Sequence, residues 1–290
     1  MINGGLNSGA KNGLIPSRKE GIRLLDNFGG AACAYSLRLL SLQYNGNCIR
    51  VRRSSDNAES DIGFVWNNIS KEYIIDTYAL LSFVGTGNGF VTTWYDQSGN
   101  KNDAYQTTAA QQPQIVISGR LNTENKLPCI NFISTSSLFF NLRFTVSGLA
   151  TSNWSSFMVQ KRTIAGRLGI TFANNAYGLA TAIINSDNSI YIINRSIYKS
   201  VSHNVTDQRL FSSFNIPNGG NGAMTLYSNG LGLTLGADTA FGNAADFSTL
   251  GKYGPTYANG TCQEAIMYQL NHSTNRLNIE LNINIYYGIY

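Results

Sequence analysis

The stretch Arg209-Leu-Phe-Ser-Ser-Phe-Asn215, Pro217-Asn-Gly-Gly220, Ala223-Met-Thr-Leu-Tyr-Ser228, Asn229-Gly230 and then 232–235 decides the fold class. Short apolar-rich runs with a period of two are broken by turn residues that tolerate tight or left-handed backbone. The same grammar holds outward in both directions. Strands are expected at 89–95, 114–117, 129–133, 138–140, 155–161, 168–172, 178–184, 189–194 and 260–269. Strands this short, recurring every 8–12 residues or so with almost no helix between them, predict two antiparallel sheets packed face to face.

Composition agrees. The 290 residues are 43% hydrophobic, 11% aromatic and only 13% charged, with 29 glycines and 34 asparagines. That is too apolar for a disordered chain, and no run of about 18 apolar residues exists to span a membrane. Helical spacing occurs in three places. Residues 31–43 place Ala32, Tyr35, Leu39 and Leu42 at such a spacing, before the stop at Asn45-Gly46. Residues 75–83 fit a second helix closed by Gly85, and 48–53 between them alternates like a strand. The tail 273–290 predicts a terminal helix capped by Ser273 or Thr274, with Leu277, Leu281 and Ile285 four apart and Tyr286, Tyr287 and Tyr290 docking it on the sandwich.

The net charge of +5 is uneven. Residues 1–55 hold eight basic and two acidic side chains, so the rest is close to neutral. A folded nucleic-acid face is therefore not expected. Residues 1–23 read as a flexible Gly/Asn-rich arm, with no signal-peptide pattern, ahead of a single domain over 24–290. Asn3, Gly4, Lys11, Arg18 and Lys19 are its candidate anchoring residues. Cys33, Cys48, Cys129 and Cys262 show no metal-ligand spacing, and His203 and His272 flank none of them. Buried free thiols are expected, with a Cys33–Cys48 pair left open.

Three segments carry a resemblance. Ala34-Tyr-Ser-Leu-Arg38 is followed by Ile49-Arg-Val-Arg-Arg-Ser-Ser-Asp56, then by Trp94-Tyr-Asp-Gln-Ser-Gly99 with Asn102 behind it. This order resembles the start of the catalytic domain of family 54 α-L-arabinofuranosidases. The closing segment, Leu250-Gly251 and then Gly260-Thr-Cys-Gln-Glu-Ala-Ile-Met-Tyr268 before a helix, is similar to concanavalin A-like (LamG-like) jelly rolls generally. The front motif also resembles structural proteins of tailed bacteriophages. The resemblance implies an all-β, concanavalin A-like jelly-roll sandwich of two antiparallel sheets with two or three short peripheral helices. It also implies a nucleophile in a Glu-Asn-Gly run of a middle strand and an acid/base Asp shortly after a Leu-Gly pair. Here the middle region reads Asn185-Ser-Asp-Asn188, with no glutamate between Glu124 and Glu264, and Asp238 and Asp246 precede Leu250-Gly251 rather than follow it.

Three constellations remain. Trp94, Tyr95, Asp96, Gln97 and Asn102 form either a sugar platform or a loop lock. Asp56, Glu59 and Asp61 space oxygen ligands for calcium, with an arginine-paired turn as the competing reading. Glu264 is either a buried partner of an arginine or an acid catalyst. Lacking the carboxylate pair a retaining glycosidase needs, the sequence predicts a non-enzymatic virion structural protein. It would be a capsid decoration, head fibre or tail-associated subunit with a lectin-like jelly roll, assembled in the host cytoplasm without a cofactor. Expected partners are other virion proteins through the arm, further copies of the chain, and a host-surface glycan, with neither membrane nor nucleic acid. The alternatives are a glycoside hydrolase of arabinofuranosidase type and a free carbohydrate-binding module.

Overall fold

A computed structural model describes residues 23–133, 140–141, 153–162, 172–174, 179–184, 189–194, 197–203, 206–216, 223–237, 239–240, 248–250, 252–253 and 256–290. The strands that build the two layers are β1 (Ala31–Ser36), β2 (Ile49–Arg53), β3 (Glu59–Ile62), β4 (Phe64–Asn67), β5 (Glu72–Ile75), β6 (Gly89–Trp94), β7 (Ala104–Tyr105), β8 (Gln114–Ile117) and β9 (Ile130–Phe132). They continue with β10 (Trp154–Arg162), β11 (Leu179–Ile184), β12 (Ser189–Asn194), β13 (Ile197–Ser202), β14 (Gln208–Ile216), β15 (Ala223–Ser228) and β16 (Gly260–Tyr268). The helices are α1 (Leu24–Asn27), α2 (Thr77–Val84) and α3 (Arg276–Tyr287). The expected jelly-roll sandwich is the fold observed.

β16 is the axis of one layer. β1 and β9 pair with successive parts of one edge, and β10 runs antiparallel along the other. β14 and β15 extend that side. The facing layer is built on β3, β2 and β6, and continues through β7 and short strands to β11, β12 and β13.

Two apolar clusters lie on opposite faces of the β16 layer. One fills the sandwich with Trp94, Ile130, Phe132, Trp154, Met158 and Cys262. The other lies under α3 and contains Phe157, Phe214, Ile266, Tyr268, Ile279 and Ile283. Every residue of β16 and β1 is therefore buried.

That two-sided burial explains one correction. Residues 31–36 form strand β1 rather than the first turns of a helix. A strand covered on both faces is apolar at every position, so any helical spacing can be found in it. The predicted second helix forms one residue or two later, at Thr77–Val84, where the Asp76 side chain caps the Ala79 N–H at 2.9 Å and Gly85 adopts φ +65°. The terminal helix also forms, after a short turn at Ser273–Asn275, with Tyr287 buried and Tyr290 exposed. Leu277, Leu281 and Ile285 are exposed, and Ile279, Ile283 and Tyr287 dock it. All four cysteines are buried free thiols, so Cys33 and Cys48 are not bridged. Among the described residues, no helix is long and apolar enough to cross a membrane.

His272 closes the cover over the second cluster. It is buried, and its ring lies 4.3 Å from that of Tyr268. Burial holds its imidazole below the ordinary value, against a smaller opposing effect of the Gly29 backbone. A depressed folded-state value means that the unfolded chain takes up this proton first. The stability it contributes is thus present above about pH 6.5 and is lost as pH falls through the folded-state value. Denaturation midpoints are expected to drop between pH 7 and 5.5, less steeply in His272→Gln than in the native chain. Parallel slopes would remove His272 from the account.

Candidate active site

The front motif makes a knot around β1. Asp96, 3% exposed, accepts the Ala34 N–H at 2.8 Å and the Ser98 N–H at 2.9 Å on Oδ1. On Oδ2 it accepts the Ser98 hydroxyl at 2.7 Å and the Asn102 N–H at 3.0 Å. Gln97 accepts the Leu40 N–H and donates to the carbonyls of Ser36 and Arg38. The Asn102 amide donates to Ala32 O at 2.7 Å, while the Tyr35 hydroxyl donates to Asn102 O. Trp94 is fully buried, its ring 5.8 Å from that of Tyr35.

This is the loop lock rather than an open sugar platform. Trp94, Asp96 and Gln97 face inward, and only Tyr95 and Asn102 keep partial exposure. Asp96→Asn puts a donor where two of these N–H or O–H groups point. It is expected to lower stability by about 1.5–3 kcal/mol, the worth of hydrogen bonds to a charged acceptor. Urea unfolding monitored by tryptophan fluorescence checks this; an unshifted midpoint would contradict it.

The candidate calcium loop is consumed by arginines. Arg53 pairs with Asp56 at 2.7 Å, and Arg50 with Glu59 at 2.7 Å and Asp61 at 3.0 Å. The Tyr95 hydroxyl also donates to Asp61. Among the described residues, no three His, Cys, Asp or Glu side chains converge as a metal site. The arm residues Asn3, Gly4, Lys11, Arg18 and Lys19 lie outside the described residues. Arg23 is buried, pairs with Glu72, and lies over the rings of Trp66 and Tyr73 at 5.8 and 5.6 Å.

Glu264 is fully buried opposite Arg38, which is 2% exposed. Arg38 donates Nε to Oε2 at 2.8 Å and Nη2 to Oε1 at 3.0 Å. Ser36 and Tyr287 hydroxyls complete Oε2 at 2.8 and 3.1 Å. Burial by itself lowers the Arg38 guanidinium, but Glu264 more than reverses this and raises it. All of Glu264's strong partners are internal, so it is a structural carboxylate and not the acid catalyst. Arg38 belongs to the front motif, but nothing in the spacing marks a partner 226 residues away.

The other described carboxylates are committed as well. Asp26 accepts from Ser41, Glu124 from Lys161, Asp207 from Arg209 and Glu280 from Arg276. Asp103 accepts the Asp96 N–H, and burial followed by the Asp96 charge raises its carboxyl. Of the 16 acidic residues, only Glu20, Asp187, Asp238 and Asp246 lie outside the described set.

The family model described as "Alpha-L-arabinofuranosidase B, catalytic" matches residues 27–128, the segment that contains the knot. A family 54 α-L-arabinofuranosidase soaked with a cyclic sulfate inhibitor superposes with a TM-score of 0.61 at 15% identity, over 90% of this chain and 63% of the other. An arabinofuranosidase complexed with arabinofuranosyl-α-1,2-xylobiose gives a TM-score of 0.54 at 16% identity with the same coverage of 90% and 63%. A mutant family 54 enzyme soaked with 4-nitrophenyl α-L-arabinofuranoside gives a TM-score of 0.56 at 17% identity, again over 90% and 63%. No curated protein matches the sequence.

The chain thus resembles the catalytic domain of family 54 α-L-arabinofuranosidases, and spans 63% of the length of those solved enzymes. At this identity, the superposed structures show the fold alone. The reading as a non-enzymatic virion subunit, whether capsid decoration, head fibre or tail component, is overturned. Its front motif falls inside a match to a catalytic glycosidase domain, and nothing found supports a virion role.

Proposed function

We propose that this chain is a glycoside hydrolase of arabinofuranosidase type. The observation that carries the reading is the family-model match over residues 27–128, the part of the chain whose knot organises β1, β6 and the β16 layer. A retaining glycosidase of this kind uses two carboxylates about 5–5.5 Å apart. One attacks the anomeric carbon as the other protonates the departing oxygen, and a water molecule then releases the sugar. Because the described carboxylates are held by partners within the protein, the candidates for the pair outside the N-terminal arm are Asp187, Asp238 and Asp246. Glu264 and Asp96, both buried among internal partners, have no role in the chemistry.

The substrate class follows from the resemblance: a terminal α-L-arabinofuranosyl group on a polysaccharide or aryl aglycone. Release of 4-nitrophenol across a panel of aryl pentosides and hexosides tests it. Preference for the arabinofuranoside is expected. A chain inert toward the whole panel would sink the reading.

A further inference from the structure

One polar cluster between the layers serves neither the knot nor the Arg38–Glu264 pair. Along β10, Trp154 and Met158 face the sandwich core, and Gln160 and Arg162 follow on the same side of the strand. Both are 1% exposed. Arg209 stands directly opposite Gln160 on β14, which sets their Cβ atoms about 5 Å apart on that face. Ser228 reaches the same face from β15, opposite Phe211. From the other layer comes His203, just past the end of β13. Its Nε2 lies 3.2 Å from the buried Ser228 hydroxyl, and its ring 6.3 Å from that of Phe211. The side chains grade inward from solvent. Asp207 is exposed, Arg209 and His203 are partly exposed, and Gln160 and Arg162 are buried.

Two features of this mouth point to a ligand. The first is the Gln160 amide, whose nitrogen and oxygen both lack a hydrogen-bonding partner among the described residues. A buried amide left so is costly, and a ligand that brings both an acceptor and a donor removes the cost. The second is charge. Burial and then Arg209 lower the His203 imidazole, Asp207 opposes them, and Arg162 adds a smaller lowering. Two guanidiniums and one carboxylate thus act on the ring, and Arg209 already holds that carboxylate at 2.8 and 2.9 Å.

We infer that this mouth binds a sugar acid, with its carboxylate against His203 and Arg209 and its hydroxyls on the Gln160 amide. Neighbouring hydroxyls accept from the amide nitrogen and donate to the amide oxygen. A neutral sugar matches the amide but not the charge, and a simple carboxylate matches the charge but not the amide. Binding is read on the free sugar acid without turnover, so the site does not depend on the hydrolase reading.

Isothermal titration of the full chain with D-galacturonate, D-galactose and acetate tests this. Galacturonate is expected to bind with a Kd of about 1 mM, and about ten-fold more tightly than either of the others. Gln160→Met keeps much of the side-chain volume and removes both unpartnered atoms. It is expected to weaken galacturonate about ten-fold without lowering the urea unfolding midpoint, because an unsatisfied buried group is gone. His203→Gln, at a partly exposed position, is expected to weaken it as well. No binding of galacturonate by the native chain, or equal binding of the three probes, overturns the proposal. Undiminished binding by both variants overturns it too. So does a lowered midpoint in Gln160→Met, which would show the amide held from within.

Discussion

Glu264→Gln is expected to reduce the free energy of unfolding by about 3–5 kcal/mol, the usual result of removing one partner from a buried ion pair. The substitution keeps the shape but takes the charge away from Arg38, whose guanidinium is itself 2% exposed and also lies 4.9 Å from the Tyr286 ring. The amide can accept from Arg38 at one position only. At the other it sets a donor against N–H and O–H groups that need an acceptor. Arg38→Ala should be comparably severe, because it leaves Glu264 charged in the core. Arg38→Met combined with Glu264→Leu removes both charges at once and should recover much of the loss. Guanidinium unfolding of Arg38→Met, Glu264→Leu and the double variant closes the cycle. Independent, additive losses would show that the pair is not coupled.

The second large effect is on turnover. Two of the three variants Asp187→Asn, Asp238→Asn and Asp246→Asn are expected to be severely impaired, and the third much less so. Loss of the group acting as acid or base lowers the rate by about 10²–10⁴-fold, and loss of the nucleophile lowers it further. The two roles separate by leaving group. Nitrophenolate departs without a proton, so the acid variant should keep more activity on the aryl substrate than on an arabinosylated xylo-oligosaccharide. The nucleophile variant should fail on both. Unfolding midpoints of these variants should match the native chain. If Glu264→Gln loses turnover while still fully folded and the three aspartate variants keep theirs, the assignment is wrong.

How much of this was legible in the sequence depends on distance along the chain. The sandwich was, because alternation and turn chemistry are local. β1 was not, because burial on both faces erases the alternation that marks a strand. The existence of α3 is legible, and so is docking through Tyr287, but not which aliphatic stripe is buried. Leu277, Leu281 and Ile285 are spaced as well as Ile279 and Ile283, and only the tertiary packing chooses between two apolar stripes. The knot at Trp94–Asn102 was visible as a motif, and its buried hydrogen bonds to β1 decide that it is scaffold. Glu264 could be expected to need an arginine, but which one is set by strand order. The carboxylates available for chemistry are likewise isolated aspartates without local context. They emerge only when the other acids have been assigned to partners.

The measurement that bears most directly on the account is hydrolysis of 4-nitrophenyl α-L-arabinofuranoside by the native chain and by the triple variant Asp187→Asn, Asp238→Asn, Asp246→Asn. Steady release of 4-nitrophenol is expected from the first and none from the second, with superimposable thermal melts. Equal turnover by both, or none by the native chain, would contradict it.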